Sequence, residues 1–231
     1  MNFSAIFAVS AVNLISPLDI NAAQIFIAFI VLLFSLTVHE SAHAWTADRL
    51  GDPTARLMGR VSLNPIVHAD LIGTVVFPLL AAVGNLPLIG WAKPVPVVGR
   101  NLRHPRRDHV LVAAAGPASN LMLAVGSAVA LLLVPVSPVT IGEPNVSAPI
   151  ASLLSRAMQI NVLLAVFNMI PIPPLDGGNV LSGLLPPALS QVFNRLRPYG
   201  FLLLYALMFT GGLNYIVAPP YRLLVSWLPS R

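Results

Sequence analysis

The chain has 231 residues, of which 56% are hydrophobic and 9% charged, with no cysteine and a formal charge of +5. A soluble globular domain carries about 25% charged residues, so this composition, with a mean hydropathy of +0.81, excludes that class and predicts an all-α polytopic membrane protein. The absence of cysteine excludes disulfides, thiolate metal ligands and cysteine catalysis, and the basic residues lie in loops between apolar segments, where they read as topology signals rather than a nucleic-acid surface.

Met1 to Asn21 begins apolar but lacks a basic n-region and is interrupted by Pro17 and Asp19, so it is expected to be a retained interfacial lead-in rather than a cleaved signal peptide. Gln24 to Trp45 follows as the first predicted span; at 1.5 Å per residue it reaches about 33 Å, enough to cross the hydrocarbon. Its last third holds His39, Glu40 and His43. On a helix the two histidines are one turn apart on one face, so both imidazoles can bind one zinc ion. Glu40 stands beside them as the base that moves a proton from metal-activated water to the leaving amine. With five His in the chain, this His-Glu-x-x-His pattern arises by accident in roughly one chain in a thousand. Ionisable groups inside an apolar helix are costly and mark functional sites.

Thr46 to Asp70 is a polar connector, in which Gly59 to Pro65 is expected to be a short extended piece at the membrane surface. His68 and Asp70 are expected to lie at the surface rather than in the site. Leu71 to Trp91 is apolar but interrupted by Gly73, Pro78, Gly84, Pro87 and Gly90, and both of its flanks are basic. A segment with positive charge at both ends is better read as re-entrant than as spanning. Lys93 to Asp108 is the most basic loop, and Val110 to Val134 is the second predicted span, carrying Gly116-Pro-Ala-Ser-Asn120. Pro135 to Pro149 carries Glu143 and no basic residue, which places it on the opposite, outer side.

Ile150 to Ile170 returns inward as the third span and merges into Asn168-Met-Ile-Pro-Ile-Pro-Pro-Leu-Asp-Gly177. Gly178 to Pro198 reads as a short helix and loop, and Tyr199 to Ala218 as the last of about four spans. This parity brings Asp176 to the same, cytoplasmic side as His39 and His43. A catalytic zinc keeps three protein ligands and an open position, and Asp176 is the best third candidate, although a helix N-cap in a solvated loop is an equal alternative for it. Gly177 and Gly178 leave the backbone free to turn that carboxylate inward. Trp45 and Trp91 are expected to anchor helix ends at the interface.

Together, His39-Glu-Ser-Ala-His43 in one membrane helix and Asn168 to Gly177 after a later one resemble the site-2 protease family of intramembrane zinc metalloproteases. The resemblance covers about residues 24–184 and implies one zinc ion held by His39, His43 and Asp176, with Glu40 as general base. It also implies Asn120 near the scissile carbonyl, though an asparagine there can equally serve as a helix–helix hydrogen bond. The chain resembles a compact bacterial or archaeal form without PDZ or CBS domains, and is expected to be a single membrane-embedded domain over residues 1–231. The function this implies is cleavage of transmembrane segments of other membrane proteins within the bilayer, with the oligomeric state open. The rival readings are a membrane metal-ion transporter and a catalytically inactive scaffold.

Overall fold

The computed structural model describes residues 22–76, 92–135 and 147–229. It is helical throughout: α1 (Ala22–Arg49), α2 (Thr54–Leu57), α3 (Pro65–His68), α4 (Pro105–Leu133), α5 (Ser147–Asn168), α6 (Asp176–Leu184), α7 (Pro187–Asn194), α8 (Gly200–Phe209) and α9 (Gly212–Trp227). Among the described residues no strand forms, so the piece from Gly59 to Pro65 has no ladder partner. Among the described residues three helices, α1, α4 and α5, are long and apolar enough to cross a membrane. The lead-in from Met1 to Asn21, most of the Glu143 loop and residues 77–91, which are most of the segment expected to be re-entrant and include Trp91, lie outside the described residues.

α4 starts earlier than its hydropathy suggests, because Arg106, Arg107 and Asp108 belong to its first turn. Pro105 occupies the first helical position, where its missing N–H is no loss, and the His104 N–H donates to the Asp108 carboxylate at 2.7 Å. Arg106 donates from Nε to the Gly183 carbonyl at 2.7 Å and from its terminal nitrogen to the Leu185 carbonyl, tying α4 to the end of α6.

The long connector between α1 and α4 starts and finishes at one place. The Arg103 N–H donates to the Leu50 carbonyl at 3.0 Å, and the Lys93 N–H to the His68 carbonyl at 2.8 Å. Gly51, with φ of +112°, makes the turn out of α1 in a conformation that side chains disfavour. Buried Asp52 then accepts from the Thr54 and Val98 amides and from the Asn101 side chain, which joins the two ends of the connector. Leu71–Val76 forms a π-helical turn whose first amides, Ile72 and Gly73, donate to Asp70.

The predicted last span from Tyr199 to Ala218 is not continuous. It breaks at Thr210–Gly211, and the run Pro187–Phe209 meets α9 at 82°. The cause is local: Gly211 adopts φ of +75°, which ends α8, and the Thr210 hydroxyl turns back to the Ala206 carbonyl at 2.8 Å.

α4 packs along both α1 and α5, with α6 against α4 and α9 against α5. Small residues allow this close approach: Ala44, Ala47, Ala113, Ala124 and Ala128 are all buried. One apolar cluster joins Val162 of α5, Ile170, Met208 of α8 and Leu213, Val217 and Tyr221 of α9, so the bent C-terminal pair closes over the segment leading to α6. A second cluster, Ala47, Leu102 and Val112, pins the end of α1 beside the first turns of α4. Phe26, Phe34, Met122, Val125 and Val129 point outward, as lipid-facing side chains do.

Candidate metal centre

His39 and His43 leave one face of α1 a turn apart, their rings edge-on at 85° with centroids 4.6 Å apart. Asp176 reaches them from the first turn of α6, after the irregular stretch Met169–Leu175 that contains a cis peptide between Pro173 and Pro174. The glycines behind it serve close packing rather than turning. A Cβ on Gly177 would come within 2.5 Å of the Ile170 carbonyl oxygen, and one on Gly178 within 2.7 Å of the Pro173 nitrogen. Only bare backbone lets α6 sit against the turn that feeds it, and this presses Asp176 toward α1.

Three atoms converge. His39 Nε2 lies 3.1 Å and His43 Nε2 3.3 Å from Asp176 Oδ2, and the two nitrogens are 3.0 Å apart. The other ring nitrogen of each histidine is already engaged: His43 Nδ1 meets the Val112 carbonyl at 2.7 Å, and His39 Nδ1 meets Asn120 Oδ1 at 2.6 Å. Both partners are oxygens that accept, so in neutral rings Nδ1 carries the proton and Nε2 presents a lone pair. Asp176 Oδ2 is buried and has no hydrogen-bond donor among the described residues. Three acceptors at this spacing repel one another unless a cation lies between them. The edge of a tetrahedron with bonds of about 2.0 Å is about 3.3 Å, so the donor set and its spacing fit zinc. Among the described residues this is the group of three side chains that can hold a metal ion.

Gly116 of α4 faces the same space. A Cβ there would stand 2.6 Å from His39 Nε2 and would also strike His43 Nε2, so the glycine keeps the space beside the three converging atoms open. Glu40, half-buried, follows His39 directly, and its Oε2 accepts from the Val95 N–H at 3.1 Å. That contact joins residues 55 apart, and nothing in the local pattern around either residue signals it.

Asn120 is fully buried behind His39. Its Oδ1 faces the imidazole, and its Nδ2 donates to Asn161 Oδ1 at 2.8 Å. Asn120 lies in the Gly116–Asn120 stretch that stands out in the sequence, whereas Asn161 carries no recognisable motif and acquires its place only when α5 packs on α4. His68, expected at the surface, is buried. Its Nε2 meets the Ser62 carbonyl at 2.8 Å and Ser41 Oγ at 3.3 Å, and Ser41 itself donates to the Ser62 carbonyl. His68 thus binds the connector to α1 and stands apart from the three converging side chains. Trp45 is 53% exposed and stacks under the Arg49 guanidinium at 5.1 Å, an arrangement suited to an interfacial anchor.

Residues 134–210, which include Asp176 and the proline-rich stretch before it, match the model of peptidase family M50. The chain is 37% identical over 190 residues to YwhC of Bacillus subtilis, whose name makes it a zinc metalloprotease, covering 82% of this chain and 83% of that protein. It is 32% identical over 183 residues to Rip2 of Mycolicibacterium smegmatis, also named as a zinc metalloprotease, covering 79% of this chain and 66% of the relative. Rip2 of Mycobacterium tuberculosis matches at 32% over 185 residues, with 79% and 66% covered. No solved structure matches the chain at a significant level. From these relatives, and from a zinc-type donor set gathered by the membrane-length α1 and the short α6, the chain belongs to peptidase family M50, the site-2 protease family, and is an integral membrane zinc metalloprotease.

Proposed function

We propose that this protease cleaves membrane-spanning segments of other proteins inside the bilayer, with zinc held by His39, His43 and Asp176 and with Glu40 as general base. The observation that carries the reading is the convergence of Asp176 Oδ2, from the short α6, on His39 Nε2 and His43 Nε2 of α1, a helix long and apolar enough to cross a membrane. Zinc bound there supplies a Lewis acid that polarises a peptide carbonyl and acidifies water. The chain's residues do the rest. The Val95 amide holds Glu40 Oε2, so the carboxylate is steadied to accept a proton from water and pass it to the leaving amine. Gly116 leaves room for an extended substrate backbone beside the histidines. The whole chain acts as one membrane-embedded domain, with its active end toward the cytoplasm of a prokaryotic cell, where Lys93, Arg100, Arg103, Arg106 and Arg107 gather.

The test is reconstitution of the purified protein in vesicles with tagged single-span proteins, comparing the native chain with Glu40→Gln and Asp176→Ala. Glu40→Gln is expected to lose cleavage by at least a hundredfold while keeping its zinc, since the amide cannot take the proton and the ligand set is intact. Asp176→Ala is expected to lose both. Cleavage by Glu40→Gln near the native rate would sink the general-base role, and full zinc occupancy in Asp176→Ala would sink the ligand set.

A further inference from the structure

The two histidines are held by different kinds of partner. His43 Nδ1 faces the backbone carbonyl of Val112, which can only accept, so its tautomer is fixed by the helix itself. His39 Nδ1 faces a side-chain amide, Asn120. An amide can present either its oxygen or its nitrogen, and only the first leaves His39 Nε2 as a lone pair. Something must decide which way Asn120 points.

We infer that Asn161 decides it, as a positioning residue that fixes His39 for zinc through Asn120; the inference rests on the zinc-site reading above. The polarity of the chain is set from its far end. Asn161 Nδ2 donates to the Ala157 carbonyl at 2.8 Å and to Ser35 Oγ at 2.9 Å. Because a carbonyl cannot donate, the end of Asn161 that meets Ala157 must be its NH2, and its Oδ1 is then the end facing Asn120. At 2.8 Å that oxygen requires a donor, so Asn120 must turn its NH2 toward Asn161. Asn120 Oδ1 is left to face His39 Nδ1, which must carry the proton. Besides Asn161, the Asn120 amide nitrogen meets the Ser35 carbonyl at 3.4 Å, a weak contact.

Asn161, Asn120 and Ser35 are at most 2% exposed, so water does not compete for these bonds. Without Asn161 the weak Ser35 contact is left to oppose the Asn120 amide turning over, pairing its NH2 with Nδ1 and moving the imidazole proton to Nε2, the position that must face zinc. Partners that orient a metal-bound histidine change metal affinity by about 10–100-fold.

The zinc dissociation constant of the purified, detergent-solubilised protein, measured by competition with a chromogenic chelator, tests this. Asn161→Leu is expected to weaken zinc binding about 10–100-fold. In an Asn120→Asp background, whose carboxylate accepts from either oxygen, the same Asn161→Leu change is expected to cost no more than about twofold. An equal loss in both backgrounds would show that Asn161 acts through packing alone, and would overturn the inference. So would native-like affinity in Asn161→Leu. If the leucine variant does not fold, the 15N shifts of the imidazoles in the zinc-free native protein decide, with His39 identified by comparison with His39→Ala. A proton on Nδ1 of His39 supports the inference, and a proton on Nε2 overturns it. A His39→Ala variant that binds zinc like the native chain would instead fail the ligand assignment itself, so the two failures are distinct.

Discussion

Gly116 carries no functional group, yet the open side of the metal centre depends on it. A methyl group there would overlap both imidazoles, and overpacking of this kind costs about 1–3 kcal/mol. Gly116→Ala is therefore expected to weaken zinc binding and to slow cleavage at least tenfold, read by chelator competition and by the vesicle assay; native values in both would mean that α1 and α4 spread without effect on the site. Asp52, in the connector, offers a test by pH. Burial alone would raise its pKa, but bonds from the Thr54 hydroxyl, the Asn101 side chain and the Val98 and Thr54 amides more than offset this and hold it below the ordinary carboxylate value. A depressed folded pKa means that Asp52 stabilises the fold above its unfolded value, about 3.9, and that this contribution disappears as pH falls through the lower folded value. Thermal unfolding in detergent should show the native chain losing stability below about pH 4, with Asp52→Asn less stable at pH 7 and flatter through the acid range. An equal acid response in the two proteins would remove Asp52 from the account.

Where single residues hold whole segments together, the effect of a change travels along an element. Gly200, at the start of α8, packs so closely on the turn before α6 that a Cβ would strike the Pro173 carbonyl oxygen and come within 2.6 Å of its carbon. Gly200→Ala is expected to destabilise the protein by about 1–3 kcal/mol and, because Pro173 lies just ahead of Asp176, to lower zinc affinity as well. Loss of stability with unchanged zinc binding would show that the C-terminal pair supports the fold but not the ligand. The elements themselves were unevenly legible in the sequence. Three spans stood out because apolar runs of membrane length have few alternatives. The early start of α4 did not, since Arg106, Arg107 and Asp108 look like loop residues until the His104–Asp108 bond and the Arg106 contacts to the end of α6 are seen. The break in the last span was written in Gly211-Gly212, but a glycine pair inside an apolar run does not say whether packing will use its freedom. Here it does, at a φ of +75°.

For the molecule as a whole, the connector that leaves α1 at Leu50 returns to it at Arg103, and the proposed topology puts both on the cytoplasmic side. Single cysteines in this cysteine-free chain can test it: Leu63→Cys and Arg100→Cys should react with an impermeant maleimide from one side of oriented vesicles and Pro135→Cys from the other. Opposite labelling of the first two would refute the arrangement. The sites differ in legibility for the same reason the elements do. His39 and His43 were readable because one turn of helix sets their geometry, and Asp176 was the best third candidate because it follows a proline-broken stretch at a helix end, although a helix N-cap was an equal alternative. Val95, Asn161 and the buried place of His68 were not, since each depends on segments that meet only after the helices have packed. That separation along the chain has a temporal meaning. The histidines emerge from the ribosome long before Asp176, with more than half the protein between Ser35 and Asn161, which are 126 residues apart and hydrogen-bonded. At about 5–20 residues per second, the nascent chain spends roughly 6–30 s in the membrane with its histidines in place and no third ligand. If Asp176 completes the ligand set as proposed, the newborn protease is silent during that interval, and the polypeptides inserting beside it, its own later helices among them, are safe from it.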